Sequence, residues 1–85
     1  MKKLLMFTAP WCNPCRAMKP VVYELQEEQD EIEVQVIDVE QSPELVERYG
    51  IMAVPAFVAL IDEAVINTTV GTMPKEKLLG LFEEC

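Results

Sequence analysis

The chain alternates between short apolar runs and amphipathic stretches, punctuated by proline and glycine. Leu4-Leu5-Met6-Phe7 is a continuous apolar run. It suits a strand buried on both faces, from Lys2 to Thr8, and Pro10 stops it. Ala17, Met18, Val21, Val22 and Leu25 then recur at helical spacing, with Arg16, Lys19, Glu24, Glu27 and Glu28 between them. This predicts a helix from about Asn13 to Gln29. Pro14 fits its first turn, where no N–H is needed, and Pro20 inside it is expected to kink it. Ile32, Val34 and Val36 alternate with Glu33 and Gln35, a second strand that runs to Asp38.

Two strands joined by a helix of this length make a right-handed parallel βαβ unit. Ser42-Pro43-Glu44 has the form of a helix start: a cap, a proline at the first position and an acid in the first turn. Leu45, Val46 and Tyr49 face inward in this short second helix, and Gly50 ends it. Ile51 to Pro55 is a connecting loop and Ala56 to Ile61 a third strand. Asp62-Glu63 is a turn without the glycine that a tight hairpin prefers. Val65 to Val70 is a fourth strand, ended by Gly71. Thr72 and Pro74 open a third helix with Leu78, Leu79, Leu81 and Phe82 as its apolar side. Gly80 inside it costs about 1 kcal/mol relative to alanine. The order is β-α-β-α-β-β-α: an α/β protein with a mixed four-stranded sheet flanked by three helices, the last two strands antiparallel.

At 85 residues and 51% hydrophobic, the sequence is expected to form a single domain over residues 1–85 with a modest core. Fifteen acidic against seven basic residues, with no histidine, leave a net charge of −8. That argues against nucleic acid and anionic membrane as partners. The apolar run near Met1 is shorter than the roughly 7–15 residues of a signal peptide core, and no stretch approaches transmembrane length. The expectation is a cytoplasmic protein. Three cysteines do not make a disulfide framework, and Cys85 reads as an exposed tail thiol with no role.

Cys12 and Cys15 carry the candidate chemistry. They sit at a strand-to-helix junction, separated by two residues. The first thiol lies at a helix N-terminus, where unpaired N–H groups and the dipole favour a thiolate. The second lies about one turn along and can close a disulfide with the first. A C-x-x-C near a βαβ pattern is a redox reading. The absence of histidine excludes a Cys-His protease.

Trp11-Cys12-Asn13-Pro14-Cys15, Pro20 five residues later, Ser42-Pro43, Tyr49-Gly50-Ile51, Val54-Pro55 and Val70-Gly71 span nearly the whole chain. In this order and at these separations they resemble the thioredoxin-fold family, in a version the size of a glutaredoxin. The resemblance starts one strand and one helix into the family's full-length pattern. It implies a cis Val54–Pro55 bond facing the cysteines, with the Val54 backbone pairing with the bound substrate chain. Asn13-Pro14 sides with thioredoxins, which usually have Gly-Pro, rather than with glutaredoxins, which usually have Pro-Tyr. Three positions depart from the pattern. Met6 stands where thioredoxins carry a buried aspartate, Val36 where they carry its neighbouring lysine, and Met52 where a basic residue is common.

The resemblance implies a dithiol protein-disulfide reductase. Cys12 is the expected nucleophile, Cys15 the resolving thiol and the Cys12–Cys15 disulfide the redox centre, with no bound cofactor or metal. Trp11, Pro14, Met52, Ala53, Val54, Pro55, Gly71 and Thr72 would surround Cys12 as a mostly apolar substrate-binding patch. Arg16 and Lys19 either favour the thiolate or form a solvated helix face; Trp11 either touches substrate or supports the loop. The implied electron donor is an NADPH-dependent thioredoxin reductase. The clients are cytosolic disulfide proteins such as ribonucleotide reductase, and a monomer is expected. The alternatives are a glutathione-dependent, glutaredoxin-like reductase, a redox-active scaffold that holds another protein, and an iron–sulfur or zinc module built across a dimer. The last is disfavoured because a structural zinc wants four ligands.

Overall fold

The computed structural model describes residues 1–83. Its elements are β1 (Lys2–Thr8), α1 (Asn13–Glu28), β2 (Ile32–Asp38), α2 (Pro43–Tyr49), β3 (Ala56–Ile61), β4 (Ala64–Val70) and α3 (Lys75–Gly80). The four strands form one sheet in the order β2-β1-β3-β4. β1 pairs parallel with β2, Leu4 opposite Val34 and Phe7 opposite Ile37. It pairs antiparallel with β3. β3 and β4 form the antiparallel hairpin. This is a thioredoxin fold.

Strand position explains the burial patterns. β1 and β3 are central, so their apolar runs are buried on both faces. β2 is an edge and alternates, and β4 is mostly exposed. Alternation along the central strands builds two cores. Leu4, Met6, Phe57 and Ala59 point to one face and pack with Met18, Val22 and Leu25 of α1 and Leu78 of α3. Leu5, Phe7, Val58 and Leu60 point to the other, where Leu45, Val46 and Tyr49 of α2 pack against them. Tyr49 is half-buried, its ring 6.1 Å from that of Phe7, and the Arg48 guanidinium lies over the same ring at 5.6 Å.

Local differences from the sequence expectation have clear causes. Ser42 occupies the N-cap of α2, but its side chain makes no capping bond. Its carbonyl instead accepts from the N–H groups of Leu45 and Val46, at 3.1 and 3.2 Å. Gly50 ends α2 in the left-handed region at φ 65°, as the αL cap requires. The Asp62-Glu63 turn places both residues at positive φ, 50° and 69°. That is the two-residue geometry that matches strand twist, reached here without glycine. Ile66 is an extra residue in β4, between Asn67 opposite Ala59 and Val65 opposite Leu60. This bulge turns its side chain toward the α1–α3 core.

Pro74 is the N-cap of α3, which ends at Gly80 rather than continuing through Phe82. Leu81, Phe82 and Glu83 donate to the carbonyls three residues back, a tightened last turn that follows the weak helix former. Ala17 points to solvent, whereas Met18 and Val22 face the core. Cys85 lies outside the described residues.

Candidate active site

β1 ends at Thr8, and the chain turns through Ala9-Pro10-Trp11 into α1. Two bonds hold this turn: the Cys12 N–H donates to the Ala9 carbonyl at 3.1 Å, and the Arg16 guanidinium donates to the Pro10 carbonyl at 3.3 Å. Arg16 is therefore a brace for the loop. Lys19 is half-buried farther along α1.

Cys12 is the N-cap of α1, and Pro14 falls in its first turn. Cys12 and Cys15 are joined as a disulfide, with Cα atoms 5.3 Å apart. The backbone N–H of Cys15 donates to Cys12 Sγ at 3.2 Å. One of the orphan donors of the helix start thus points at the first sulfur, which is the arrangement that favours negative charge there after reduction. Cys12 is 4% exposed and Cys15 is 0% exposed. Both belong to the apolar cluster that includes Met6, Met18 and Phe57, and among the described residues Thr8 is the only buried polar side chain.

The other sequence-predicted positions fall as follows. Pro14, Met52, Ala53 and Thr72 are exposed, Val54 and Gly71 half-buried, and Pro55 buried. The Val54–Pro55 bond is cis. Val54 packs against the cluster that holds the cysteines. The Gly71 N–H donates to the Pro55 carbonyl at 2.8 Å, so the end of β4 and the loop before β3 are tied together. Trp11 is 67% exposed, with its indole N–H donating to Glu40 Oε2 at 2.9 Å.

Glu40 is the site residue that the sequence did not announce. It lies outside any periodic segment, beyond the end of β2, and only the parallel pairing of β1 with β2 brings it beside Trp11. The sole local signal is Asp38, two residues earlier, whose side chain accepts the Glu40 N–H at 2.8 Å in an Asx-type turn. Among the described residues, no group of three or more His, Cys, Asp and Glu side chains is placed to hold a metal.

A disulfide at the N-terminus of the first helix, beside a cis-proline loop and on this sheet order, defines a thiol–disulfide oxidoreductase of the thioredoxin fold. The thioredoxin family model matches residues 1–84. The thioredoxin of Bacillus subtilis strain 168 is 42% identical over 79 residues, covering 92% of this chain and 76% of that one. Thioredoxin 1 of Synechococcus elongatus is 34% identical over 82 residues, covering 95% and 77%. Among solved structures, a point mutant of the thioredoxin from Halobacterium salinarum superposes with a TM-score of 0.88 at 35% identity, covering 94% of this chain and 70% of that one. Oxidised mitochondrial thioredoxin 3 of Saccharomyces cerevisiae gives 0.86 at 29% identity, covering 94% and 76%.

The chain belongs to the thioredoxin family. It is a thiol–disulfide oxidoreductase, an enzyme that reduces disulfides. Membership implies a thioredoxin reductase and disulfide-bearing proteins as partners, and redox-active cysteines as the working group. No helix among the described residues is long and apolar enough to cross a membrane.

Proposed function

We propose that Cys12 attacks client disulfides and Cys15 resolves the product. The Cys12 thiolate attacks one sulfur of the client disulfide, forming a mixed disulfide, and the client's other sulfur leaves as a thiolate and takes up a proton. Cys15 then loses its proton to water or to the departing sulfur and attacks Cys12 Sγ. The Cys12–Cys15 disulfide re-forms and the client's second thiol leaves. Two electrons and two protons reach the client. The observation that carries this assignment is the Cys15 N–H aimed at Cys12 Sγ, with Cys15 itself fully enclosed.

Trp11, Pro14, Met52, Ala53, Val54, Pro55 and Gly71 form the client-binding surface in this reading. Its support is the exposure of Trp11 and Met52 and the bond that joins Gly71 to Pro55. Open apolar surface of this kind suits an extended protein segment. The cleft of about 560 Å³ beside α2, lined by Leu5, Ile37, Leu45 and Tyr49 among others, involves none of these residues.

The electron donor is an NADPH-dependent thioredoxin reductase rather than glutathione, a choice supported by Asn13-Pro14 between the cysteines and by the thioredoxin relatives. The enzyme works as a monomer in the cytoplasm, residues 1–85 act as one unit, and its clients are disulfide proteins such as ribonucleotide reductase. The test is NADPH consumption by the oxidised protein with thioredoxin reductase, run beside glutathione with its own reductase. Faster turnover in the glutathione arm would overturn the choice of donor.

A further inference from the structure

The chain has five methionines. Met6 and Met18 are 0% and 3% exposed, inside the cluster that holds Cys12 and Cys15. Met73 is half-buried against that cluster. Met1 and Met52 stand open, at 81% and 96%. A methionine so exposed contributes almost nothing to the core, since burial is what stabilises an apolar side chain.

The backbone around Met52 is nonetheless anchored on both sides. The Ile51 N–H donates to the Val46 carbonyl at 2.9 Å. Val54 packs against both cores, and the Pro55 carbonyl accepts from Gly71. The fold thus holds this thioether out into solvent on the loop that runs into the cysteine cluster. Trp11 and Val70, 67% and 60% exposed, precede Cys12 and Gly71 directly. They are the open apolar side chains on the other two segments of the same region.

We propose that Met52 is an oxidation-sensitive docking residue. Its thioether contacts apolar side chains of the client, and its conversion to the sulfoxide by a peroxide weakens client capture while leaving the dithiol intact. The proposal rests on the client-binding surface described above. The sulfur lone pair attacks one peroxide oxygen, the S–O bond forms as the O–O bond breaks, and the second oxygen leaves as water. The sulfur loses two electrons and the peroxide gains them. A flexible apolar group becomes a polar S–O dipole that an apolar contact no longer accommodates. In the oxidised enzyme both cysteines are already joined and nearly inaccessible, so they do not compete for the oxidant.

The experiment uses the full chain with Cys85→Ser, in the disulfide form, treated with hydrogen peroxide. Peptide mass mapping should find one added oxygen on Met52 and Met1 before Met73, with Met6 and Met18 unchanged. In the reductase-coupled assay, kcat/KM for a protein disulfide such as insulin should fall about fivefold through KM, the size of a lost interfacial contact. Turnover of a small aromatic disulfide should stay within about twofold of the untreated protein. The ratio of treated to untreated activity should return to one in Met52→Leu, which keeps Met1 and Met73 oxidisable. Met52→Gln, polar without any oxidant, should raise KM for insulin. The proposal is overturned if Met52→Leu stays equally peroxide-sensitive, if Met52→Gln binds insulin as the wild type does, or if peroxide also removes small-disulfide turnover. Untreated protein that turns over neither disulfide overturns this proposal and the dithiol assignment together.

Discussion

The indole N–H of Trp11 donates to Glu40 across 29 residues of sequence, at 2.9 Å. Glu40 is fixed from behind. Its own N–H donates to Asp38 Oδ1, and the Val39 N–H donates to the Thr8 carbonyl at the end of β1. The backbone that carries the carboxylate is thereby set before the bond is made, which lowers the entropy cost of a contact at the surface. Trp11 is the only tryptophan, so the emission reports this ring alone. Glu40→Ala should free the ring, lowering its fluorescence anisotropy and raising KM for a protein disulfide about two- to fivefold, the equivalent of about 0.5–1 kcal/mol. Glu40→Gln keeps an acceptor and should restore most of both. Unchanged anisotropy in Glu40→Ala would mean that the bond does not hold the ring in solution.

Cys12→Ser should abolish disulfide reduction, because the attacking sulfur is gone. Cys15→Ser should still attack but fail to resolve, so an adduct with client accumulates on non-reducing gels and in mass spectra. Normal cycling of Cys15→Ser on protein disulfides would favour a monothiol route resolved by glutathione. Cys85→Ser should keep its activity. A loss beyond about tenfold, or about 1.4 kcal/mol of barrier, would give the tail thiol a catalytic role.

Met6 is 0% exposed and shares a cluster with Cys12 and Cys15. By the resemblance it stands where thioredoxins carry a buried aspartate, and Val36, packed beside the same cluster, stands where they carry that group's lysine neighbour. A thioether at this position supplies no second ionisation to couple to the nucleophile. In a Cys15→Ala, Cys85→Ser background, alkylation of Cys12 between pH 5 and 10 should follow a single titration. A second inflection near neutrality would contradict this. Met6→Asp should introduce one, since burial raises a carboxyl pKa. It should also destabilise the fold by about 2 kcal/mol or more, roughly 10 °C in Tm for a domain of this size.

Lys75 ties α3 to α1, its ammonium 2.8 Å from Glu24 and 2.7 Å from Glu28. Those two glutamates are one helical turn apart and would repel each other without it. The hydrogen bond from Lys75, and then its charge, lower the Glu24 pKa below the ordinary glutamate value. The bonds to Glu24 and Glu28 raise the Lys75 pKa above the ordinary lysine value. A depressed carboxylate stabilises the fold above its unfolded-state pKa and loses that contribution as pH falls through the folded value. A raised lysine contributes fully below its unfolded-state pKa and loses that contribution only as pH rises through its folded value. Lys75→Met should therefore lower Tm at pH 7. The difference from wild type should shrink as pH drops below the ordinary glutamate value, and also in high salt. A difference that persists unchanged in acid would assign it to packing of the lysine stem instead.

The strands and the first two helices were legible because their signals are local. The unbroken run Leu4–Phe7, the helical spacing of Met18, Val22 and Leu25, Pro43 at a helix start and Gly50 past its end each act within a few residues. The Cys12–Cys15 pair was legible for the same reason, since both thiols belong to the first turn of one helix. Tertiary structure decided what depends on neighbours distant in sequence. It put β2 and β4 at the sheet edges and bulged β4 at Ile66. It brought Glu40 to Trp11 and Lys75 to Glu24 and Glu28. Periodicity states only that a side chain is apolar or polar. Burial and pairing depend on which surfaces meet, so Met18 is enclosed while Met52, with the same side chain, is held in solvent beside the disulfide loop.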